Sequence, residues 1–194
     1  MPTNEERRET TRNNLLSAAR ECFFRQGYEN THTDSILEQA GVSRGAMYHH
    51  FATKRDLFEA VYVSVVDETI QHASKRHIES TSPLEELLAG CSAWLSFVSK
   101  PAVAKILLEQ GPQVLGWTRA RDIEARSSLP LMRRSLERAR DAGEIEVDSI
   151  QTTAQLINAL LAEAALIGAY GKPRVSRAVL EGSVRQFVTG LRSV

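Results

Sequence analysis

Apolar residues recur at intervals of three and four along almost the whole chain, and this spacing constrains the fold more than any other feature. It places apolar side chains on one face of a helix, whereas a half-buried strand needs alternation. Alternating Val, Ile and Thr runs of strand length are scarce, so the sequence predicts an all-α protein. The first helix is expected over residues 5–26, with Gly27 as its C-terminal cap and an apolar face formed by Leu15, Ala18, Ala19, Cys22 and Phe23.

Three further helix starts follow, each marked by a hydroxyl side chain that can accept a backbone hydrogen bond: Thr31, Ser43 and Thr53. Thr31 and Thr53 each have an aspartate three residues later, which is typical of a capping box. The helices that they open are expected to end before Gly41, to cover residues 44–50, and to run from residue 54 towards His77. The first two, joined by a short turn at residues 40–42, are what a helix-turn-helix requires.

Charge alone gives no support for a nucleic-acid partner. The chain has 24 basic and 24 acidic residues, whereas a DNA-binding domain is usually basic. Residues 1–60 contain eight Lys or Arg and nine Asp or Glu, so this region is slightly acidic. A role in DNA binding must therefore depend on where particular side chains lie.

Missing motifs disfavour several classes of protein. The sequence has no GxSxG, glycine-rich phosphate loop or HExxH, so we expect no catalytic residue, no metal site and no cofactor. The polar residues 1–12 do not form a secretory signal and no apolar run reaches about 18 residues, so a cytoplasmic protein without a membrane span is expected. Cys22 and Cys91 lack CxxC spacing and are interpreted as buried, reduced thiols, with a redox sensor as the alternative.

One segment is specific enough to indicate a family. Residues 27–58 read GYENTHTDSILEQAGVSRGAMYHHFATKRDLF. Together with the preceding Cys22-Phe23 pair, this segment resembles the DNA-binding domain of the TetR family of bacterial repressors. The matching positions are Gly27-Tyr28, Thr31, Ile36, Ala40 to Ser43, Tyr48 to Phe51, Lys54 and Leu57-Phe58. The resemblance implies an N-terminal three-helix domain that reads operator DNA through its helix-turn-helix.

In such a motif the second short helix lies in the major groove, with its N-terminal residues nearest the base edges. That helix begins Arg44-Gly45-Ala46. Arg44 is expected to contact guanine or phosphate, Gly45 to allow close approach of the backbone, and Ala46 to touch a thymine methyl group. The resemblance assigns Tyr48 to a phosphate, and His49 is a further candidate contact.

Three more candidate DNA contacts flank the recognition helix. Lys54 combines an ammonium group with the free N–H groups of a helix start, which suits a phosphate. Thr33 and Asp34 occupy positions where members of the family reach DNA, and Asp34 is expected either to accept from a cytosine amino group or to serve its own helix cap. His50 is interpreted as a packed residue, and the expected core positions are Ile36, Val42, Met47, Phe51 and Leu57.

The second half of the chain gives weaker signals. Ser82-Pro83 is a strong helix start, Gly111-Pro112 is expected to break a helix, and Asp148 is expected to cap a very apolar helix. Residues 111–117, with Arg121 and Ala125-Arg126, resemble one group of TetR-type regulatory domains. The resemblance implies a helical bundle around an apolar small-molecule cavity, and a dimer formed by the last two helices.

Candidate residues for both roles follow from these expectations. Candidate cavity residues are large apolar side chains: Tyr62, Trp94, Phe97, Leu115 and Trp117. Small and apolar residues of the last two helices are the candidate dimer interface: Ile157, Leu160, Leu161, Ala164, Val179, Phe187 and Val188. A helix that is apolar on two faces is expected to be buried on two sides, although a well-buried helix of a monomer would have the same composition.

The sequence therefore predicts a helix-turn-helix domain over residues 1–53, a connecting helix over 54–80 and a ligand-binding and dimerisation domain over 81–194. The predicted function is a ligand-responsive transcriptional regulator, most simply a homodimeric repressor that leaves a palindromic operator when a small apolar effector binds. An activator or effectorless regulator of the same fold is the nearest alternative. A helical interaction protein without DNA binding and a small helical enzyme are the others.

Overall fold

The computed structural model describes residues 3–75 and 82–192, and the regular structure within these ranges is helical, which confirms the predicted all-α class. The helices are α1 Asn4–Gln26, α2 Thr33–Ala40, α3 Arg44–His50, α4 Lys54–Ser74, α5 Pro83–Val98, α6 Pro101–Leu115, α7 Trp117–Asp141, α8 Ile150–Tyr170 and α9 Arg177–Thr189. Helix α6 contains a π-helical segment, Lys105–Gln110, between two short α-helical stretches. The end of α4 predicted near His77 lies outside the described residues.

The local signals of the first three helices place their boundaries correctly. All five residues of the predicted apolar face of α1 are buried, and the helix ends at Gly27, whose φ is 80°. Gly41 ends α2 in the left-handed conformation, with φ 65°. Ser43 caps α3 by accepting a hydrogen bond from the backbone N–H of Ala46 at 3.3 Å. The sequence therefore encodes the helix-turn-helix through its caps and its turn glycine.

Thr31 does not cap a helix, so that part of the prediction is wrong. Its side chain is buried, and its hydroxyl lies 2.7 Å from the carbonyl oxygen of Gly27 and 3.3 Å from that of Cys22. Helix α2 begins at Thr33 with His32 in the cap position and no side-chain cap bond. The hydroxyl therefore contacts carbonyl groups that precede it, at the end of α1, and not the N–H groups of the helix that follows.

The chain divides into two compact units, which differ from the predicted domains. One contains residues 1–65 and 105–120, and the other contains residues 66–104 and 121–194. The first unit thus takes the first half of α4 and most of α6 in addition to α1, α2 and α3. The predicted boundary at residues 80 and 81 lies outside the described residues.

Within the first unit, α6 is attached to α1 through two side chains. The Lys105 Nζ donates to the carbonyl oxygen of Phe24 at 2.7 Å, and the Gln110 Nε2 donates to that of Phe23 at 3.0 Å. Both carbonyls lie in the last turn of α1, and that of Phe23 also accepts from the Gly27 N–H at 3.0 Å. From α4, the Arg55 guanidinium donates to two carbonyl oxygens at the end of α6, those of Val114 and Leu115, both at 3.1 Å.

Gly111-Pro112 does not break the helix, which contradicts the sequence prediction. Both residues lie inside α6, because proline is tolerated in the first turn after the π-helical segment. Gly111 is required here for a different reason: a Cβ atom at this position would lie 2.1 Å from Cε2 of the Tyr62 ring. Tyr62 is fully buried, so its ring has no open space into which to retreat.

We therefore expect Gly111→Ala to destabilise the protein by about 1–3 kcal/mol, the usual cost of overpacking a core. Equilibrium unfolding in urea measures this as a lower midpoint at unchanged slope. Gly45→Ala is the matched control, because no atom lies within 4 Å of a Cβ built on Gly45. That change should leave stability equal or slightly higher, since alanine has the better helix propensity. Equal midpoints for the two variants would contradict the proposed close packing of Tyr62 on Gly111.

The second unit contains α5, α8, α9 and most of α7. Ser82 caps α5 as predicted, accepting from the backbone N–H of Glu85 at 3.2 Å. Helix α8 is capped by Ser149 rather than by Asp148, since the Ser149 hydroxyl accepts from the Thr152 N–H at 3.2 Å. Contrary to the expectation from apolar runs, α8 is long and apolar enough by length and composition to cross a membrane, a criterion that core helices also meet.

Candidate nucleic-acid interface and cavity

Helices α2 and α3 form a helix-turn-helix around a small apolar core. Ile36, Met47 and Leu57 are completely buried, and Leu37 and Phe51 are nearly so. Val42, which was expected in this core, is only half-buried. The Gly41 N–H donates to the carbonyl of Glu38 and the Val42 N–H to that of Leu37, which completes the last turn of α2. With Met47 held inwards, the opposite face of α3 is open to solvent.

This open face carries most of the predicted DNA contacts. Tyr48 is 47% exposed although it is a large aromatic residue, and Gly45 and His49 are exposed as well. Ala46 and Thr33 are half-buried. The carboxylate of Asp34 contacts the guanidinium of Arg44 in an ion pair, which shows that the N-terminal turns of α2 and α3 lie side by side. The structure thus brings together two groups of residues that are ten positions apart.

Of the two roles expected for Asp34, the cap role is wrong, and acceptance from a cytosine amino group stays a prediction. Its carboxylate neither caps α2 nor points away from α3. Instead it holds Arg44, the residue expected to read guanine or phosphate. Both side chains remain more than half exposed, at 71% for Asp34 and 57% for Arg44, so the pair contributes little to stability. Its importance lies in where it directs the guanidinium.

The ammonium group of Lys54 is engaged within the first unit. Its Nζ donates to the carbonyl oxygens of Tyr28 at 2.9 Å and Thr31 at 3.1 Å, and it lies 4.2 Å from the centre of the Tyr28 ring. Lys54 thereby fixes the link between α1 and α2 to the start of α4. A phosphate contact by Lys54 stays a prediction, and the backbone N–H groups of the first turn of α4 are the alternative donors.

Sequence reasoning missed two arginines on α1 that lie near the end of the recognition helix. The Arg12 guanidinium carbon is 5.7 Å from the centre of the Phe51 ring. Burial lowers the pKa of His50 below its usual value, and the positive charges of His49, Arg8 and Arg12 lower it further. The signal available in the sequence was the group of arginines on the polar first turns of α1.

The second unit contains a cavity of about 270 Å³. It is lined by residues of α4, α5, α7 and α8: Ile70, Ala73, Ser74, Glu86, Leu87, Gly90, Cys91, Trp94, Ser128, Leu131, Met132, Ser135, Arg138, Asn158 and Leu161. Of the predicted cavity residues only Trp94 lines it. Tyr62 and Leu115 are buried in the first unit, Phe97 is buried with its ring centre 4.7 Å from that of His72, and Trp117 is 58% exposed.

Both cysteines are buried and free, as the sequence indicated. Burial raises the pKa of the Cys91 thiol to about 12, and burial, helped by Glu21, raises that of Cys22. Each thiol is therefore protonated near neutral pH. Because redox sensing requires an accessible thiolate, the structure does not favour the alternative of a redox sensor.

Helices α8 and α9 expose large apolar residues, but not all of those that the sequence indicated. Val179 is 57% and Phe187 68% exposed, whereas Leu160 is only half-buried. Four other candidates face the core of their own unit and are buried: Ile157, Leu161, Ala164 and Val188. The exposed residues that were missed are Leu156, Ile167 and Tyr170. We call Leu156, Ile167, Tyr170, Val179 and Phe187 the exposed apolar face.

Two family models match the chain and together cover most of it. The model of the "Bacterial regulatory proteins, tetR family" matches residues 15–61, and that of the "Tetracyclin repressor-like, C-terminal domain" matches residues 84–191. The second alone covers more than half of the chain. The first match contains the helix-turn-helix, and the second contains most of the cavity and the exposed apolar face.

Individual proteins agree with these matches. The transcriptional activator FasR of Mycolicibacterium smegmatis is 33% identical over 91 residues, which are 47% of this chain and 42% of that protein. The chain thus spans about two fifths of this curated relative. A TetR-family regulator from Pectobacterium atrosepticum superposes with a TM-score of 0.83 and 28% identity, covering 100% of this chain and 99% of the other.

A further solved structure shares the fold alone. RolR in complex with resorcinol superposes with a TM-score of 0.76 at 16% identity, over 98% of this chain and 91% of RolR. With the helix-turn-helix, the helical second unit and both family models in agreement, the chain belongs to the TetR family of bacterial regulatory proteins.

Proposed function

We propose that this protein is a ligand-responsive transcriptional regulator that binds a palindromic operator as a homodimer. The observation that carries the proposal is the open face of α3, where Arg44, Tyr48 and His49 lie exposed beside Asp34 of α2. An exposed polar face on the second helix of a helix-turn-helix is the surface that enters the major groove in proteins of this architecture. A cytoplasmic location follows from binding to chromosomal DNA.

The near-neutral charge of the chain indicates how it would bind. Non-specific affinity depends on the number of phosphates that Lys and Arg neutralise. Besides Arg44, basic residues near α3 include Arg8 and Arg12 of α1, close to His50 and Phe51 at its C-terminal end. We infer that non-specific binding is modest and that specificity depends on a few contacts per subunit.

Tyr48→Phe should weaken binding of the dimer to every DNA sequence by about 25-fold, because it removes one phosphate contact of about 1 kcal/mol from each subunit. Fluorescence anisotropy with operator and with random duplex at the same salt concentration measures the two affinities. Loss of affinity for the operator alone would mean that Tyr48 reads a base. An unchanged affinity for both duplexes would remove Tyr48 from the interface.

The proposed dimer uses the exposed apolar face. Leu156, Ile167 and Tyr170 follow one side of α8 at intervals of eleven and three, which is a helical repeat. Val179 and Phe187 are eight residues apart on α9, so they lie within about 80° of each other around that helix. Two copies related by a twofold axis would cover this face with the same face of the partner, in a four-helix arrangement.

The proposed effector site is the cavity of the second unit. RolR, which shares the fold, was crystallised with resorcinol, so a domain of this shape can hold a small aromatic molecule. An effector can release DNA only if it binds the released conformation more tightly than the DNA-bound one. The simplest form of the proposal is a repressor. FasR, which is similar over 47% of this chain, is an activator, so the direction of regulation needs its own measurement.

Selection of binding sites from a random duplex library, followed by a salt titration on the selected operator, tests the proposal. We expect a palindromic consensus and an affinity that falls steeply with salt, because phosphate contacts release counterions. A helical interaction protein without DNA binding would yield no consensus and no binding at low salt. That outcome would overturn the regulator proposal.

A further inference from the structure

Helix α7 contributes polar residues to both ends of the cavity. Ser128, Leu131, Met132, Ser135 and Arg138 repeat at helical intervals and face the cavity together. At a rise of 1.5 Å per residue, Ser128 and Arg138 are about 15 Å apart along the axis. Leu131 and Met132 lie between them, and Ser135 lies within one turn of Arg138. The cavity therefore has two polar ends and an apolar middle.

The first polar end contains the amide of Asn158 and the hydroxyl of Ser128. Among the described residues that line the cavity, the charged ones lie at the other end. The Asn158 Nδ2 donates to the Ser128 Oγ at 2.9 Å, and the Ser128 Oγ donates to the carbonyl oxygen of Glu124 at 2.8 Å. These bonds fix the direction of the Asn158 amide. An asparagine amide has a second N–H and two lone pairs on its oxygen, so it can both donate to and accept from a ligand.

The second polar end is an ion pair that leaves the cavity without net charge. The Arg138 Nη1 is 2.7 Å from the Glu86 Oε2. These two side chains are the charged ones that line the cavity among the described residues. The Arg138 side chain is 59% exposed and that of Glu86 23%, so the pair lies at the solvent-accessible end, where a charged ligand would have to compete with one member of the pair for the other. The cavity thus favours an uncharged ligand.

The middle of the cavity favours an aromatic ring. Trp94 offers an indole face, Met132 a polarisable thioether, and Leu87, Leu131 and Leu161 offer aliphatic contacts. An apolar cavity of about 150 Å³ holds one benzene molecule. The volume of about 270 Å³ therefore holds a substituted ring.

We propose that the cavity binds small uncharged aromatic compounds whose hydroxyl or amide group pairs with Asn158 and Ser128. This inference rests on the proposed function in naming such a compound as the effector, but the binding chemistry does not depend on DNA. The ring lies against Trp94 and Met132, and the Glu86–Arg138 pair closes the far end. Asn158 is the residue that distinguishes an uncharged ligand from a charged one.

Three ligands of nearly equal shape and different charge test the proposal: benzamide, benzoate and benzamidine. Titration calorimetry on the full-length protein should show benzamide binding at least about tenfold more tightly than either charged compound, a difference of about 1.4 kcal/mol. Asn158→Asp places a carboxylate of almost the same shape in the cavity. In that variant the preference should move to benzamidine, again by about tenfold.

Two further variants make the result specific. Gln155→Glu adds the same charge to α8 one turn earlier, at an exposed position outside the cavity, and should leave all three affinities unchanged. Ser128→Ala removes a hydroxyl without adding charge, and it should weaken benzamide about fivefold while the order of the three ligands stays the same. Ser128→Ala also serves if Asn158→Asp does not fold.

The outcomes separate the two proposals. Equal or tighter binding of benzoate or benzamidine to the natural protein, or no binding of any of the three at millimolar concentration, would overturn the chemistry proposed for the cavity. An unchanged preference in folded Asn158→Asp would overturn the role of Asn158. Selective benzamide binding by a protein that selects no DNA site would retain the cavity inference and refute the regulator proposal.

Discussion

Replacing Phe187 by glutamate is expected to convert the protein from a dimer into a monomer and to lower operator affinity by about 100-fold or more. Phe187 is 68% exposed, the largest value among the exposed large apolar residues. In a twofold interface the substitution places two carboxylates in one apolar contact, and loss of an aromatic anchor alone costs about 2–4 kcal/mol. A monomer also loses the gain of about 10²- to 10⁴-fold that two linked half-site contacts provide.

Sedimentation velocity measures the oligomeric state and anisotropy the operator affinity of the same samples. Val63→Glu is the control, because Val63 is an exposed apolar residue of the first unit and does not belong to the exposed apolar face. It should remain dimeric. Circular dichroism should show Phe187→Glu still folded, since the side chain makes little contact with its own core. A dimeric Phe187→Glu protein would mean that another surface forms the dimer.

Asp34→Ala is expected to raise affinity for random DNA while reducing the discrimination between the operator and a variant with one altered base pair. Removing a carboxylate near the phosphates favours all sequences alike. The same change frees the guanidinium of Arg44, which Asp34 holds in one orientation. A well-oriented bidentate arginine contributes about 1–3 kcal/mol of discrimination at a guanine. We expect about a tenfold loss of discrimination at one base step.

A double-mutant cycle separates this positioning role from a general effect of charge. In an Arg44→Ala background, Asp34→Ala should still raise non-specific affinity but should no longer change discrimination. Asp34→Asn is the conservative variant, because it keeps an acceptor for Arg44 and removes the charge. It should retain part of the discrimination. If Asp34→Ala reduces discrimination equally in both backgrounds, Asp34 contacts a base itself and does not act through Arg44.

Local chemistry explains why the helix-turn-helix could be predicted. Gly41 and Ser43 act within one turn of the chain, and each has a single conformational role that its residue type favours. Thr31 has the same residue type as a helix cap, but carbonyl groups at the end of α1 take its hydroxyl. The ion pair of Asp34 with Arg44 and the hydrogen bonds of Lys54 to the link between α1 and α2 were likewise not predicted, because these partners are distant in the sequence.

Periodicity explains why the dimer surface was only partly predicted. Helix α8 is apolar on most of its circumference, so the repeat of three and four does not distinguish the core side from the open side. Leu161 and Ile157 were expected at the interface, but both side chains are buried in the core of the second unit. Leu156 and Ile167 are exposed instead. Which side of α8 faces the core depends on how the helix packs against its neighbours. The spacing of apolar residues in the sequence does not reveal this packing.

The bonds between α1 and α6 limit how far this regulator is modular. Lys105 and Gln110 satisfy carbonyls at the end of α1, yet they follow α5 in the chain. In a chimaera that joins residues 1–65 to the second half of another regulator, these carbonyls would face side chains other than Lys105 and Gln110. Arg55 would lose the carbonyl oxygens of Val114 and Leu115 as acceptors. To exchange DNA specificity between relatives, residues 105–120 should therefore be transferred together with residues 1–65, because the two segments form one compact unit.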